Sequence, residues 1–344
     1  MSEDIRFERH GHSGLVILDR PKALNALSHD MILSLYAKLS EWANDPDLLQ
    51  VLVTAEGKAF CAGGDIRRIW ELGRQDYAAA RSFFRDEYRL NALIKRYPKP
   101  YVALIDGICM GGGVGLSAHG SHRVASEKLV FAMPETGIGF FPDVGGSFVL
   151  SRMPGLTGLH AGLTAGRLDL ADSVWAGLVT HPVASEAIPG LVEALLGGAE
   201  LEPTLTDAVA ETGPSALADR QADIDRAYAA ESVTDIIAGL EAVSESDWAR
   251  ETAETLRSRS PTSLALAFRE IAEAADLSFE ECMVMEYRIL SRILKGHDFY
   301  EGVRALLIDK DGSPDWRPAR VEDLDPAAIA AHFDPLDGDD LTLD

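Results

Sequence analysis

Cysteine is scarce in this chain: three residues in 344, Cys61, Cys109 and Cys282, set far apart. That spacing forms neither a CxxC pair nor a disulfide framework, and it fits a reducing, cytoplasmic setting. Each is expected to be a small buried hydrophobe rather than a nucleophile. No run reaches about 18 apolar residues, so a membrane span is not expected. The opening MSEDIRFERH is charged and lacks an apolar leader segment, so secretion is not expected either. Positive charge is short as well, with 32 Lys and Arg against 55 Asp and Glu, a formal net charge of -23. Such a surface repels nucleic acid and anionic lipid at long range. A local basic cluster can still hold phosphates, because screening removes distant charges beyond about 8–10 Å. The nine histidines show no HxxxH-type spacing, so no metal site is expected, and His119 and His122 read as structural.

What is present is ordinary globular texture, 47% hydrophobic, enough for one large domain or a domain with an appendage. Residues 1–195 read as α/β. Short β-branched runs at 15–18 (LVIL), 51–54 (VLVT), 101–105 (YVALI) and 129–132 (LVFA) predict strands. Ser28 is a good N-cap, with Ile32, Leu35 and Leu39 at helical spacing behind it. A second amphipathic helix is predicted over 76–95, stopped by Pro98 and Pro100. Residues 196–344 lose the strand signal. They are expected to be mainly helical, packing on the core or on a neighbouring subunit, with one long helical pattern over 261–294 and a loop-like tail from Asp311. No internal repeat is visible.

Three segments carry chemistry. In GKAFCAGGDIRRI (57–69), a strand enters a small-residue turn whose backbone N–H groups can approach a ligand closely. In DGICMGGGVGLSAHG (106–120), a strand runs into three glycines and then a helix, whose first N–H groups point outward at the positive end of the dipole. In FAMPETGIGFFPDVGG (131–146), two carboxylates, Glu135 and Asp143, lie eight residues apart in a glycine- and aromatic-rich loop. Each has a bland alternative. The glycines form a degenerate pattern without the acidic residue a dinucleotide site needs. Asp143 suits a turn, Glu135 a helix N-terminus and Asp65 a helix cap. Together, two backbone donor sites and two carboxylates make the parts list for acyl chemistry.

FCAGGDIR, ICMGGGVGLS and MPETGIGFFPDVGG resemble the signatures of the crotonase superfamily over about residues 5–185. PETGIGFFPDVGGSFVLSRMPG, MEYRIL and DFYEGVRALLIDKDGSPDWRP are similar to its 3-hydroxyisobutyryl-CoA hydrolase branch, over about 263–318. The stretch near 196–260 matches little. The resemblance implies a spiral of repeated ββα units followed by a helical region. It further implies that the N–H groups of Ala62 and Gly112 hold the thioester oxygen and that Glu135 is the catalytic carboxylate. Lys22, Ala23 and Leu24 match a coenzyme A contact, Gly63, Gly64 and Asp65 complete the donor loop, and Glu87 matches a residue near the substrate. Crotonase hydratases carry a second catalytic glutamate where this chain has Gly115, and Asp143 stands where they often have glycine. Both departures point to hydrolysis.

The expected activity is therefore hydrolysis of a short 3-hydroxyacyl-CoA thioester, with Glu135 acting as general base or as nucleophile. Asp143 would bond the 3-hydroxyl or share a proton with Glu135. No cofactor is expected, coenzyme A being part of the substrate, and homo-oligomerisation stays open. Lys58, Arg67 and Arg68 are candidates for the phosphates, and Trp70, Phe83, Phe84, Phe140 and Phe141 for shaping the acyl pocket. Two other readings compete: an enoyl-CoA hydratase or isomerase, and a non-catalytic acyl-CoA-binding protein on the same fold.

Overall fold

The computed structural model describes residues 2–243 and 245–343. The chain forms two compact units that alternate along the sequence, rather than dividing once near residue 195. The first comprises Met1–Asp65, Asp86–Ala132 and Arg167–Ala218; the second comprises Ile66–Arg85, Met133–Gly166 and Asp219–Asp344.

All nine described strands lie in the first unit: β1 (Ile5–His10), β2 (Ser13–Leu18), β3 (Gln50–Ala55), β4 (Ala59–Cys61), β5 (Tyr101–Ile105), β6 (Ile108–Met110), β7 (His122–Ser126), β8 (Val130–Ala132) and β9 (His181–Val183). They build a six-stranded sheet ordered β1-β2-β3-β5-β7-β9 and a three-stranded sheet ordered β4-β6-β8. Only β1 runs antiparallel to its neighbour; the other pairings are parallel. The pairs β3–β4, β5–β6 and β7–β8 each place one strand in the large sheet and the next in the small one. This is a repeat of structure without a repeat of sequence. Strands β2, β3 and β5 are apolar on both faces because both are covered. One face packs Leu15, Ile17, Leu52, Val102 and Leu104 against Ile188, Leu191 and Leu195 of the Ile188–Leu196 helix.

The helix behind Ser28 is observed over His29–Ala43, and the Ser28 hydroxyl accepts from Met31 N at 3.3 Å. No strand follows Val183 among the described residues. The long helical pattern over 261–294 divides into Pro261–Ala274 and Phe279–Ile293. A capping box explains the break: Ser278 accepts from Glu281 N while the Glu281 carboxylate takes the Ser278 N–H. The tail holds more structure than expected, including short helical turns at Val321–Asp323, Pro326–Ala330 and Ala331–Phe333.

Candidate active site

In the first unit, Pro21–Ala23 forms a single 3-10 turn, and Leu24 and Asn25 adopt positive φ of 52° and 56°. Asn25 makes this geometry tolerable. Fully buried, it accepts from Arg20 N at 2.8 Å and donates to Glu56 O at 2.9 Å and Ala59 O at 2.8 Å. One amide side chain thereby ties the Lys22–Ala23–Leu24 segment to the entry of β4. Lys22 is exposed, as a residue reaching for phosphate must be. Asp65 pairs with Arg20 at 2.9 Å, so its carboxylate braces the loop.

The backbone corrects one assignment. Ala62 N already donates to Leu24 O at 3.0 Å, while Leu27 N bonds Gly63 O and Asp65 N bonds Leu27 O. With the Ala62 and Asp65 amides engaged, Gly64 N is the amide of this loop that lies against Gly112. Gly112 opens the Gly112–Ser117 helix, where the first-turn N–H groups have no intrahelical acceptor. A Cβ at Gly112 would lie 3.2 Å from Gly64 N and 2.7 Å from Glu87 Oε1. Gly64 and Gly112 thus stand side by side with the buried Glu87 carboxyl against them, and Gly63 serves as the hinge of the turn. Sequence reading chose Ala62 because the motif alone does not reveal which amide the Leu24 carbonyl claims. Cys61 is fully buried, and burial pushes its thiol far above the ordinary range, so it stays protonated.

In the second unit, Glu135 begins the Glu135–Ile138 3-10 turn, which closes at Gly139 with φ +73°. A Cβ at Gly139 would meet Asp298 O at 2.1 Å, so only glycine fits. Thr136 anchors the same turn by donating to Gly162 O and Leu163 O. Phe140 stacks on Phe84 and packs at a tilt against Phe141 and Phe299, with ring centroids 4.7–5.6 Å apart. These aromatics are core, as is Phe83, and Trp70 Nε1 donates to Tyr300 O at 2.8 Å. Glu135 and Asp143 are both buried, at 6% and 4% exposure. After Asp143 the chain turns through Val144 and Gly145 at φ 55° and 79°.

Two further acids surround these. Glu270 and Glu286, on Pro261–Ala274 and Phe279–Ile293, are wholly buried. Burial drives the Glu270 carboxyl well above its usual range, and the charges of Glu286, Asp143 and Glu135 push it further. Burial likewise raises Glu286 to about 8, against hydrogen bonds from Ser147 and Gly145. Sequence reading missed both, because an acid inside an amphipathic helix pattern looks like a solvated position. Among the described residues no group of three or more His, Cys, Asp or Glu side chains is placed to hold a metal. Arg67 and Arg68 are exposed and turn toward Glu71. No described helix is long and apolar enough to cross a membrane.

Comparison with known proteins follows the same lines. A family model for enoyl-CoA hydratase/isomerase matches residues 13–333. The chain is 46% identical to the mitochondrial 3-hydroxyisobutyryl-CoA hydrolase of Danio rerio, over 99% of this chain and 92% of that one. It is 42% identical to the Homo sapiens protein of the same name, over 99% and 91%. Among solved structures, a carnitinyl-CoA dehydratase from Mycobacterium thermoresistibile superposes with TM-score 0.95 at 42% identity, covering 99% of each chain. An enoyl-CoA hydratase from Rhodobacter sphaeroides gives 0.94 at 38%, covering 99% of this chain and 100% of that one. From the strand pairs to the signature loops, the chain belongs to the enoyl-CoA hydratase/isomerase family, the crotonase superfamily.

Proposed function

We propose that this protein hydrolyses a short 3-hydroxyacyl-CoA thioester, 3-hydroxyisobutyryl-CoA in valine breakdown, to the free acid and coenzyme A. The reaction asks two things of the chain. Negative charge develops on the thioester oxygen as the carbonyl carbon is attacked, and it needs fixed donors. The Gly64 and Gly112 amides supply them, preorganised so that no reorientation is required during the reaction. The attacker must also be generated. Glu135 meets that need, by taking a proton from water or by attacking the carbonyl itself. Collapse of the tetrahedral species expels the coenzyme A thiolate, which takes up a proton; where Glu135 itself attacked, water then cleaves the resulting anhydride to give the free acid and restore Glu135. Asp143 orients the 3-hydroxyl, Glu87 buttresses Gly112, and Lys22 with the Ala23–Leu24 backbone contacts coenzyme A.

The observation that carries this reading is the distribution of acids. Glu135 and Asp143 are both buried, and Gly115, inside the Gly112–Ser117 helix, offers no second acid for adding water across a double bond. Full-length likeness to curated hydrolases supports it. The chemistry requires no cofactor. Three free, buried cysteines support a reducing compartment such as the cytoplasm, while the curated relatives carry "mitochondrial" in their names.

Two solved neighbours bear dehydratase and hydratase titles, so the test sets both activities side by side. Purified protein is given 3-hydroxyisobutyryl-CoA, with thiol release followed, and crotonyl-CoA, with loss of the enoyl chromophore followed. Thiol release with little hydration is expected. Hydration without thiol release would overturn the proposal, and an acyl-CoA-binding protein without catalysis would give neither.

A further inference from the structure

Asp143 is followed by a turn that a sequence would not adopt unaided. Val144 is β-branched yet sits at φ 55°, Gly145 at φ 79°, and only then does the Gly146–Leu150 helix begin. A β-branched residue in the left-handed region is strained and persists only where its surroundings over-determine it. The turn carries one bond of its own, Gly146 N to Asp143 O at 2.7 Å.

A further restraint comes from about 140 residues downstream. Glu286 receives Gly145 N on Oε2 at 2.8 Å, and on Oε1 both Ser147 N at 3.1 Å and Ser147 Oγ at 2.5 Å. Each carboxyl oxygen therefore faces a backbone donor on the far side of Val144. Glu270 backs this arrangement. It is 0% exposed, and neither of its oxygens has a hydrogen-bond partner among the described residues. An ionised carboxylate in that position would be prohibitively desolvated, so Glu270 is the neutral acid beside Glu286.

We infer that Glu286 is a positioning residue for the reaction: it clamps the strained Val144–Gly145 turn and so fixes where Asp143 presents its carboxylate. This rests on the hydrolase reading, in which Asp143 meets the substrate. The clamp works in either protonation state. A neutral Glu286 still accepts both backbone N–H groups and gives its proton to Ser147 Oγ. It does not tolerate an amide, because a glutamine in either flip turns an NH2 toward one of the two backbone donors.

The test is a double-mutant cycle on the full chain, with thiol release from 3-hydroxyisobutyryl-CoA as readout. Glu286→Gln should lower kcat about 100-fold, the usual consequence of a roughly 1 Å misplacement, with KM little changed. In an Asp143→Asn background the same change should cost almost nothing further, because both variants remove one function. Ser147→Ala deletes one side-chain hydrogen-bond partner of Glu286 and leaves the backbone; it should give a smaller loss in the same direction. Should Glu286→Gln fail to fold, Ser147→Ala and its combination with Asp143→Asn decide the matter. A folded Glu286→Gln with wild-type kcat, a loss that adds fully to that of Asp143→Asn, or a Ser147→Ala without effect would overturn the clamp alone. A wild-type enzyme that releases no thiol would instead overturn the hydrolase reading, and the clamp's catalytic role with it.

Discussion

Replacing Gly112 by alanine separates the donor site from the fold that carries it. The added Cβ would lie 2.7 Å from Glu87 Oε1, 3.2 Å from Gly64 N and 3.3 Å from Gly63 C. The first contact is with the end of a side chain, which can swing away. The other two are with backbone and push the Gly64 and Gly112 amides apart. Gly112 lies in a helix, where alanine is favoured over glycine, so the fold should survive. Losing one preorganised donor costs about 2.7–4 kcal/mol of transition-state stabilisation, which at about 1.36 kcal/mol per decade is two to three powers of ten in rate. Gly113→Ala is the control in the other direction, since its Cβ would come 2.2 Å from Cys61 O, a backbone atom that cannot yield. That variant should lose its fold, seen in the melting temperature. The assay is thiol release by Gly112→Ala, with its circular dichroism matched to wild type. A folded Gly112→Ala with kcat/KM near wild type would refute the placement of the oxyanion at Gly64 and Gly112.

Three other outcomes follow from the buried polar groups. Asn25→Ala leaves Arg20 N, Glu56 O and Ala59 O without their partner and should destabilise the protein by at least about 2 kcal/mol, read as a urea midpoint. Asn25→Asp, isosteric but unable to donate, should also destabilise. Glu270 and Glu286 hold protons in the folded state that the unfolded chain releases at ordinary carboxylate pH. The folded state therefore binds more protons, and this contribution to stability is present in full below about pH 4.5 and lost as pH rises toward about 8. The titratable groups facing the pair are Asp143, Glu135 and Cys282. Glu270→Gln breaks no hydrogen bond among the described residues; it should be more stable than wild type at pH 8 and nearly equal at pH 4, in parallel urea titrations. A gap that is the same at both pH values would contradict a neutral Glu270.

Sequence was most legible where local chemistry decides. Tyr101–Ile105 was bounded correctly because five consecutive apolar residues leave no other option, and Ser28 caps its helix as its side chain dictates. Strands β7 and β9 were not legible, because HRVAS and HPV are short and carry no clear apolar alternation. They exist through pairing across distant segments. The same limit governs the site. Glycines announced a close backbone approach, yet which amide lies against Gly112 was fixed by a long-range bond from Ala62 to Leu24. Glu286 was unreadable for a related reason: its partners Gly145 and Ser147 are about 140 positions away.

The most direct test of thioester hydrolysis driven by Glu135 is coenzyme A thiol release from 3-hydroxyisobutyryl-CoA by wild type and Glu135→Ala at equal concentration. The account predicts turnover by wild type and a loss of about 10²–10⁴-fold in the variant, with the fold unchanged. A Glu135→Ala enzyme that releases thiol at the wild-type rate would contradict it.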